Sequence, residues 1–138
     1  MSNRTFTIIK PDSVRKGNFG KILSRVEAEG FRVLGIRKVS LSQRQAEAFY
    51  GVHRQRPFFG DLVKYMTSGP VYVAALERSA AVAHLRNIMG ATDPKKADAG
   101  TLRKDFGESI EQNAIHGSDS DENARNEIAF FFAESDLV

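Results

Sequence analysis

The stretch NAIHGSDS, residues 113–120, places a histidine among small polar residues, where an imidazole is free to do chemistry. A neutral imidazole near pH 7 has one unprotonated ring nitrogen, which can take a phosphoryl group covalently and pass it on. The other ring nitrogen must then donate to a carbonyl or carboxylate oxygen, so that one tautomer is fixed. Glu127, a downstream carboxylate, could orient His116 in this way, either directly or through Ser118. Gly117 would let another group approach the ring closely.

Each candidate residue, taken singly, also has an ordinary structural explanation. A histidine beside Gly and Ser is commonly a surface-turn residue, and packing or solvent exposure explains His53 and His84. Lone basic residues are usually solvated surface charges, which is the alternative for Lys10, Arg86 and Arg103.

The other polar and aromatic candidates are equally ambiguous alone. Core packing can explain Tyr50 and Phe58. Thr92 can be a loop residue whose hydroxyl bonds its own backbone, and Asn113 can be a turn residue. The segment GNFGKI, residues 17–22, resembles a phosphate loop, but it lacks the four residues between glycines and the hydroxyl residue after the lysine that a Walker loop needs. The chain also lacks a G-x-G-x-x-G fingerprint and the protein-kinase signatures. Any phosphate chemistry must therefore use other residues.

Length and composition limit the class of protein. A chain of 138 residues is long enough for one domain and too short for two ordinary ones, so we expect a single domain over residues 1–138. Zero cysteines exclude disulfides, thiolate metal sites and a cysteine nucleophile. A net charge of +3 suits a phosphate-bearing partner. No apolar run approaches the roughly 20 residues of a membrane span, so we expect a cytoplasmic protein without a membrane partner.

The first half of the chain alternates predicted strands and helices. RTFTII reads as a buried strand that ends at Lys10, because Pro11 cannot donate to a sheet ladder. Apolar residues at helical spacing follow from Phe19 to Val26, and Gly30 is placed as a C-terminal cap. FRVLGIRKVSL reads as a second strand. The pattern therefore begins strand, helix, strand.

The helices and strand that follow are marked by caps and breakers. Ser42 and Gln45 form a capping-box pattern that starts a helix. Pro57 precedes a further helix in FFGDLVKYMTSG, and VYVAALE then reads as a strand after Gly69-Pro70.

The second half holds the predicted binding loop. Ser79 can cap a helix that stops at Gly90, with Arg86 near its end. Residues 91–115 read as a binding loop with short helical turns, because so long an aperiodic connection is uncommon unless it is functional. Ser120 starts a short helix, and EIAFFFA reads as a buried strand. These elements predict an α+β fold, a ferredoxin-like split βαβ sandwich whose four-stranded, mostly antiparallel sheet is covered on one face by helices.

Four separated segments favour a functional explanation of these candidate residues over a purely structural one. IIKPD, RPFFGDLVKYMTSGP, MGATDPKKADAGTLRKDF and NAIHGSDS occur in this order, and together they resemble the nucleoside diphosphate kinase family across nearly the whole chain. The resemblance implies transfer of the γ-phosphate of a nucleoside triphosphate, mainly ATP, to a nucleoside diphosphate, which maintains triphosphate pools. It further implies ping-pong kinetics through a phosphohistidine, with Mg²⁺ carried by the nucleotide phosphates and none bound by the protein directly.

The resemblance also assigns residues. His116 matches the histidine that is phosphorylated on its pros nitrogen, and Ser118 and Glu127 match the pair that holds it. Lys10 and Tyr50 match further catalytic residues. The nucleotide-binding residues of the family match Lys10, Phe58, Leu62, Arg86, Thr92, Arg103, Ile110 and Asn113.

The residue chemistry agrees with these assignments. Stacking on Phe58 and contact with Ile110 would grip any base without reading its edge, although many members have Val where Ile110 stands. The resemblance implies a homo-oligomer built from dimers. Many members form a hexamer that a longer C-terminal extension helps to hold together, but this chain stops at AESDLV, so a tetramer of the same dimers is an alternative to the hexamer.

Two other functions compete with this interpretation. A basic ferredoxin-like sheet could bind nucleic acid, but EGFRVLGI matches the aromatic RNA-binding signature only in part, so nucleic acid is not expected as the main partner. A regulatory protein could carry phosphohistidine to a protein target, but it would need none of the base and sugar residues Tyr50, Phe58 and Asn113.

Overall fold

The computed structural model describes residues 3–138 and contains a four-stranded antiparallel sheet. The strands are β1 (Arg4–Ile9), β2 (Arg32–Val39), β3 (Val71–Glu77) and β4 (Ile115–Gly117). Their spatial order is β2-β3-β1-β4, and each neighbouring pair is antiparallel. Because β3 lies between β1 and β2, the first βαβ unit is split, which confirms the predicted ferredoxin-like α+β fold.

Helices and short turns connect the strands. Over residues 3–138 the α-helices are α1 (Pro11–Arg15), α2 (Phe19–Ala28), α3 (Gln43–Phe49), α4 (Phe59–Met66), α5 (Ala81–Met89), α6 (Leu102–Phe106) and α7 (Asp121–Phe131). The 3₁₀ turns are Gly51–His53, Pro94–Lys96 and Glu134–Asp136. None of the helices in this part of the chain has the length and apolar character needed to cross a bilayer.

Several local predictions are confirmed. The capping box at α3 forms, because Ser42 Oγ accepts from Gln45 N at 3.1 Å while Gln45 Oε1 accepts from Ser42 N at 2.9 Å. The predicted loop of residues 91–115 does contain short helical turns. The cap of α5 differs from the prediction, because its N-cap is Ala80 rather than Ser79 and no side chain caps it.

Helices cover both faces of the sheet, whereas the sequence predicted one covered face. Phe6 and Ile8 of β1 belong to an apolar cluster with residues of α3, α4 and α7. Ile9, the next residue, belongs to a second cluster with residues of α2 and α5. Successive side chains of a strand point to opposite faces, so a strand buried along nearly its whole length needs cover on both sides.

The segment EIAFFFA is helical as far as Phe131, and its prediction as a strand is wrong. Ala124, Ile128 and Phe131 of α7 are buried at helical spacing, and Phe130 between them is exposed. A short apolar run fits either a buried strand or one face of a helix, and here the cap at Ser120 starts a helix that continues through the run. The fourth strand is instead the three-residue β4, and it carries His116.

Candidate active site

Strand β4 lies at the edge of the sheet and positions His116. His116 pairs with Ile8 of β1, so its side chain shares the sheet face of Phe6 and Ile8, which α3 and α7 cover. The imidazole centroid lies 5.7 Å from that of Phe49 and 6.4 Å from that of Tyr50, both at nearly perpendicular ring angles. Aromatic edges and faces therefore fix the plane of the ring.

A carboxylate on α7 holds one nitrogen of the imidazole. His116 Nε2 lies 2.8 Å from Glu127 Oε1, and the Ser118 hydroxyl donates to the same oxygen at 2.8 Å. A carboxylate accepts hydrogen bonds, so this contact favours the tautomer with its proton on Nε2 and leaves Nδ1 unprotonated. Over residues 3–138, the hydrogen bonds of the ring go through Nε2 alone.

His116 lines an open cavity of about 700 Å³. The sequence-predicted site residues that line it are Lys10, Tyr50, Phe58, Leu62, Arg86, Thr92, Arg103, Ile110, Asn113, His116 and Glu127. Ser118 is the exception, because it is completely buried and reaches the site through its hydrogen bond to Glu127. The fold thus brings together residues that are spread over more than a hundred positions of the chain.

Two guanidinium groups are anchored on backbone carbonyls beside β4. Arg103 donates to Gly90 O at 3.2 Å and to Ile115 O at 2.9 Å, and Arg86 donates to Gly117 O at 3.2 Å. Burial, with a smaller effect of Arg86, lowers the pKa of Arg103 to about 10, so it is still charged at neutral pH. Among the described residues neither guanidinium pairs with a carboxylate, which leaves both charges available to an anion.

Lys10 adds a third cationic group at the end of β1, as predicted. Its ammonium donates to Asn113 Oδ1 at 2.7 Å, and Asn113 Nδ2 donates to Thr92 O at 3.0 Å. Burial, followed by the charge of Arg103, lowers the pKa of Lys10 from 10.5 to about 8. These hydrogen bonds hold Lys10 and Asn113 next to each other, so both present polar atoms to the same part of the cavity.

The Tyr50 hydroxyl is buried and, within the described part of the chain, has no hydrogen-bond partner. Burial raises its pKa above the ordinary value, and the charge of Glu127 raises it further. The phenol therefore stays protonated and able to donate a hydrogen bond. A buried donor without a partner at a cavity wall is suited to an incoming acceptor.

The mouth of the cavity is apolar and exposed. Phe58 is 48% exposed and Ile110 is 62% exposed, and Leu62 lies one helical turn beyond Phe58 on α4. Exposed aromatic and aliphatic surface of this kind can stack on a planar base. Val52 and His53 also line this mouth, and the His53 ring centroid lies 5.5 Å from that of Phe58.

Sequence reasoning missed several lining residues. It explained His53 by packing or solvent exposure, although its place just before the RPFF segment was a usable signal. It also missed Phe49, Asp61, Glu111, Asp119 and Asn123.

Gly117 lines the cavity beside His116 and also packs against α5 on its other side. A Cβ atom at Gly117 would lie 2.5 Å from Met89 Sδ and 3.1 Å from Leu85 Cδ2. The absence of a side chain at Gly117 therefore lets α5 pack closely against β4. No pattern in the sequence around Gly117 indicates its contact with α5, which only the tertiary structure shows.

A sequence model described as nucleoside diphosphate kinase matches residues 3–137, nearly the whole chain. The chain belongs to the nucleoside diphosphate kinase family. A nucleoside diphosphate kinase of Granulibacter bethesdensis is 62% identical over 135 residues, which cover 98% of this chain and 96% of that one. The nucleoside diphosphate kinase of Helicobacter pylori is 58% identical over 137 residues, covering 99% of this chain and all of the other.

Solved structures of nucleoside diphosphate kinases have the same fold. The Aquifex aeolicus enzyme superposes with a TM-score of 0.97 at 42% identity, covering all of both chains. The Halobacterium salinarum enzyme, determined in complex with CDP, gives a TM-score of 0.94 at 38% identity and covers this whole chain and 92% of its own. The chain is a nucleoside diphosphate kinase that transfers phosphate between nucleotides, and these similarities favour that activity over the nucleic-acid-binding and phosphocarrier alternatives.

Proposed function

We propose that this nucleoside diphosphate kinase transfers phosphate through a phosphohistidine formed on Nδ1 of His116. The observation that carries the proposal is the 2.8 Å contact between Nε2 and Glu127, because it leaves Nδ1 as the nucleophilic nitrogen at the cavity. The Nδ1 lone pair attacks the γ-phosphorus of the donor, and the bond from that phosphorus to the β–γ bridging oxygen breaks. The donor diphosphate then leaves with those electrons.

The second half-reaction reverses the first with another nucleotide. A terminal oxygen of the acceptor diphosphate attacks the phosphorus, the N–P bond breaks, and Nδ1 regains its lone pair. One histidine serves both halves, so we expect ping-pong kinetics. Ser118 and Glu127 keep the ring in one orientation throughout, and the carboxylate stabilises positive charge on the imidazole while the N–P bond exists.

The cationic groups are proposed to bind the phosphates. Phosphoryl transfer spreads charge over the equatorial oxygens, and Lys10, Arg86 and Arg103 line the cavity without carboxylate partners among the described residues. The Tyr50 hydroxyl, which has no hydrogen-bond partner among residues 3–138, and the Thr92 hydroxyl are suited to further hydrogen bonds in the same region.

The base and sugar are proposed to bind nearer the mouth. Phe58, Leu62 and Ile110 offer apolar contact to either face of a base, which does not discriminate between bases. Lys10 and Asn113 present polar atoms that can bond the sugar hydroxyls.

Magnesium is proposed to enter as the magnesium–nucleotide complex. Residues 3–138 contain no cluster of three metal-binding side chains, and the cavity wall presents isolated carboxylates such as Asp119. Magnesium commonly keeps several waters and takes substrate phosphates as ligands, so isolated carboxylates suffice to contact its waters. When bound, the ion neutralises charge that develops on the phosphates.

The phosphohistidine is tested by labelling the protein. Purified protein is incubated with γ-labelled ATP and magnesium, isolated, and chased with GDP. We expect label that is stable in base, lost in acid and transferred to GDP.

The His116→Ala variant should keep its fold and lose both labelling and nucleotide exchange. The matched control is His84→Ala, which removes a histidine that lies outside the cavity and contacts Glu29, and it should label normally. Wild-type turnover by His116→Ala would refute the mechanism.

We also propose a homo-oligomer built from dimers, a tetramer or a hexamer, in the cytoplasm, where nucleotide pools are found. The edge of β2 supports self-association, because it is open to another chain along part of its length and carries Ile36, which is 39% exposed. Light scattering after size-exclusion chromatography would measure the number of subunits, and cell fractionation would test the location.

A further inference from the structure

Asp12 is a buried carboxylate that the proposed reaction does not use. It lies in α1, is 1% exposed and does not line the cavity. Its Oδ1 accepts a hydrogen bond from the Tyr65 hydroxyl, and its backbone N–H donates to the Tyr65 hydroxyl oxygen at 2.9 Å. Its Oδ2 accepts from the backbone N–H of Ala114 at 3.1 Å. The carboxylate thus connects α4 to the segment just before β4.

Ala114 has an unfavourable backbone conformation. Its φ is 75°, in the left-handed region that costs energy for any residue with a Cβ. The Ile115 N–H donates to Asn113 O at 2.9 Å, a bond that spans Ala114 and closes a γ-turn. This turn separates Asn113, which lines the cavity, from His116 three residues later. The direction in which the chain enters β4 therefore depends on the conformation of Ala114.

Both backbone polar groups of Ala114 are held from the same segment of the chain. Lys10 N donates to Ala114 O at 2.9 Å, and Asp12 Oδ2 accepts from Ala114 N. The Asp12 carboxylate bonds the backbone N–H at the centre of the turn, whereas Arg103 bonds the carbonyl at its end, Ile115 O. Tyr65 fixes the orientation of that carboxylate from α4, and burial together with the bond to Asp12 raises the pKa of Tyr65.

We propose that Asp12 is a positioning residue, whose carboxylate holds the γ-turn at Ala114 and thereby places Asn113 and His116 in the cavity. This inference rests on the proposed phosphohistidine at His116. Asp12 itself does not contact the substrate, because it acts through the backbone of the turn.

Two substitutions of similar size separate the hydrogen bond from the charge. Asp12→Asn and Asp12→Leu both remove the negative charge, which also influences Lys10, but only asparagine keeps an oxygen that can accept from Ala114 N. The readout is the single-turnover rate of phosphoenzyme formation at saturating magnesium–ATP, measured beside the unfolding midpoint. We expect Asp12→Asn to stay within about threefold of wild type and Asp12→Leu to be slowed about 10- to 100-fold, the cost of a misplaced nucleophile.

Relief of the backbone strain provides a rescue. Glycine adopts a φ of 75° without a steric cost, so Asp12→Leu combined with Ala114→Gly should recover at least about fivefold of the lost rate. A general loss of packing at position 12 would not be repaired in this way. If Asp12→Leu fails to fold, Asp12→Ser takes its place, because its hydroxyl is one atom shorter and falls out of reach of the Ala114 amide.

The outcomes separate this inference from the proposed function. Equal rates for folded Asp12→Asn and Asp12→Leu, or no recovery by Ala114→Gly, would overturn the positioning role while wild-type labelling still supports the phosphohistidine. Wild-type protein that forms no phosphoenzyme would overturn both proposals.

Discussion

At the scale of single residues, three cations line the cavity, and none of them forms an ion pair with a carboxylate among the described residues. Arg86 and Arg103 donate to backbone carbonyls and Lys10 donates to an amide oxygen and a backbone carbonyl, so their positions are fixed by neutral partners. A phosphate group therefore does not need to displace a carboxylate before it binds. Burial lowers the pKa of Lys10, and the nearby charge of Arg103 lowers it further.

The pH dependence of exchange should reveal Lys10. Its pKa of about 8 lies below the ordinary 10.5, so the ammonium loses its proton near pH 8 and attracts phosphate less strongly above it. We expect kcat/KM for the nucleotide, measured between pH 6.5 and 10, to fall above pH 8 with a slope approaching tenfold per pH unit. The effect of Lys10 on the stability of the fold has the opposite pH dependence from its effect on kcat/KM. The unfolded chain binds more protons between about pH 8 and 10.5, so the contribution of Lys10 to stability rises with pH across that window.

Lys10→Arg is the control for this profile. Arginine stays charged well above pH 8, so the inflection near pH 8 should disappear even if the absolute rate is lower. Arg103 titrates near 10 and lies above that inflection. An unchanged inflection in the Lys10→Arg variant would assign it to another group.

At the scale of elements, three short segments bring together the groups of the proposed reaction. Strand β4 supplies His116, α7 supplies Glu127, and α6 supplies Arg103. Helix α6 is tied to α2 by the ion pair of Arg25 with Asp105 at 2.6 Å. Exposed ion pairs contribute little stability, so the backbone packing that follows α6 matters more for the position of Arg103.

Gly107 is where that packing is tightest. A Cβ atom there would lie 2.7 Å from Pro94 Cγ and 2.8 Å from the backbone oxygen of Arg103, so the backbone itself would have to move. We expect Gly107→Ala to lower the free energy of unfolding by about 1–3 kcal/mol and to raise KM for the nucleotide. Urea unfolding and steady-state exchange measure the two effects.

The matched control is Gly20→Ala. Gly20 lies in α2, and a Cβ atom there would meet no other part of the described chain within 4 Å, apart from its own helix. Alanine should therefore leave KM unchanged and stabilise the helix by up to about 1 kcal/mol. The role assigned to Gly107 is wrong if its alanine variant matches wild type in both stability and KM.

At the scale of the whole molecule, the sheet has one edge occupied by the site and another that is partly open. Strand β4 forms one edge and β2 the other. Val138 N donates to Leu34 O, so the last residues cover β2 at one point, while Ile36 farther along stays 39% exposed. Open edges attract other chains, which supports the proposed assembly through dimers.

A charge at Ile36 tests this surface. Ile36→Lys places an ammonium on the exposed part of β2, and we expect a smaller species by light scattering with a lower unfolding temperature, because edge charges oppose strand pairing. Ala99→Lys adds the same charge on an exposed loop and should leave the number of subunits unchanged. An intact oligomer in the Ile36→Lys variant would direct attention to a different surface.

Local sequence signals were sufficient for most elements. The capping box at Ser42, the proline after Lys10 and the glycine at 90 each act through neighbours a few residues away, so their effects can be read along the chain. The four family segments likewise hold several residues that line the cavity, among them Lys10, Phe58, Arg103 and His116.

Tertiary structure alone decided the rest. EIAFFFA is apolar enough for a strand or a helix, and its packing against β1 from α7 settles the choice. The bond from Asp12 to Ala114 spans about a hundred residues, and no local pattern connects two such positions. The sequence by itself therefore identified most candidate site residues and most ends of helices and strands, because these depend on short-range interactions. The fold decided which distant residues meet, because those contacts depend on how whole elements pack.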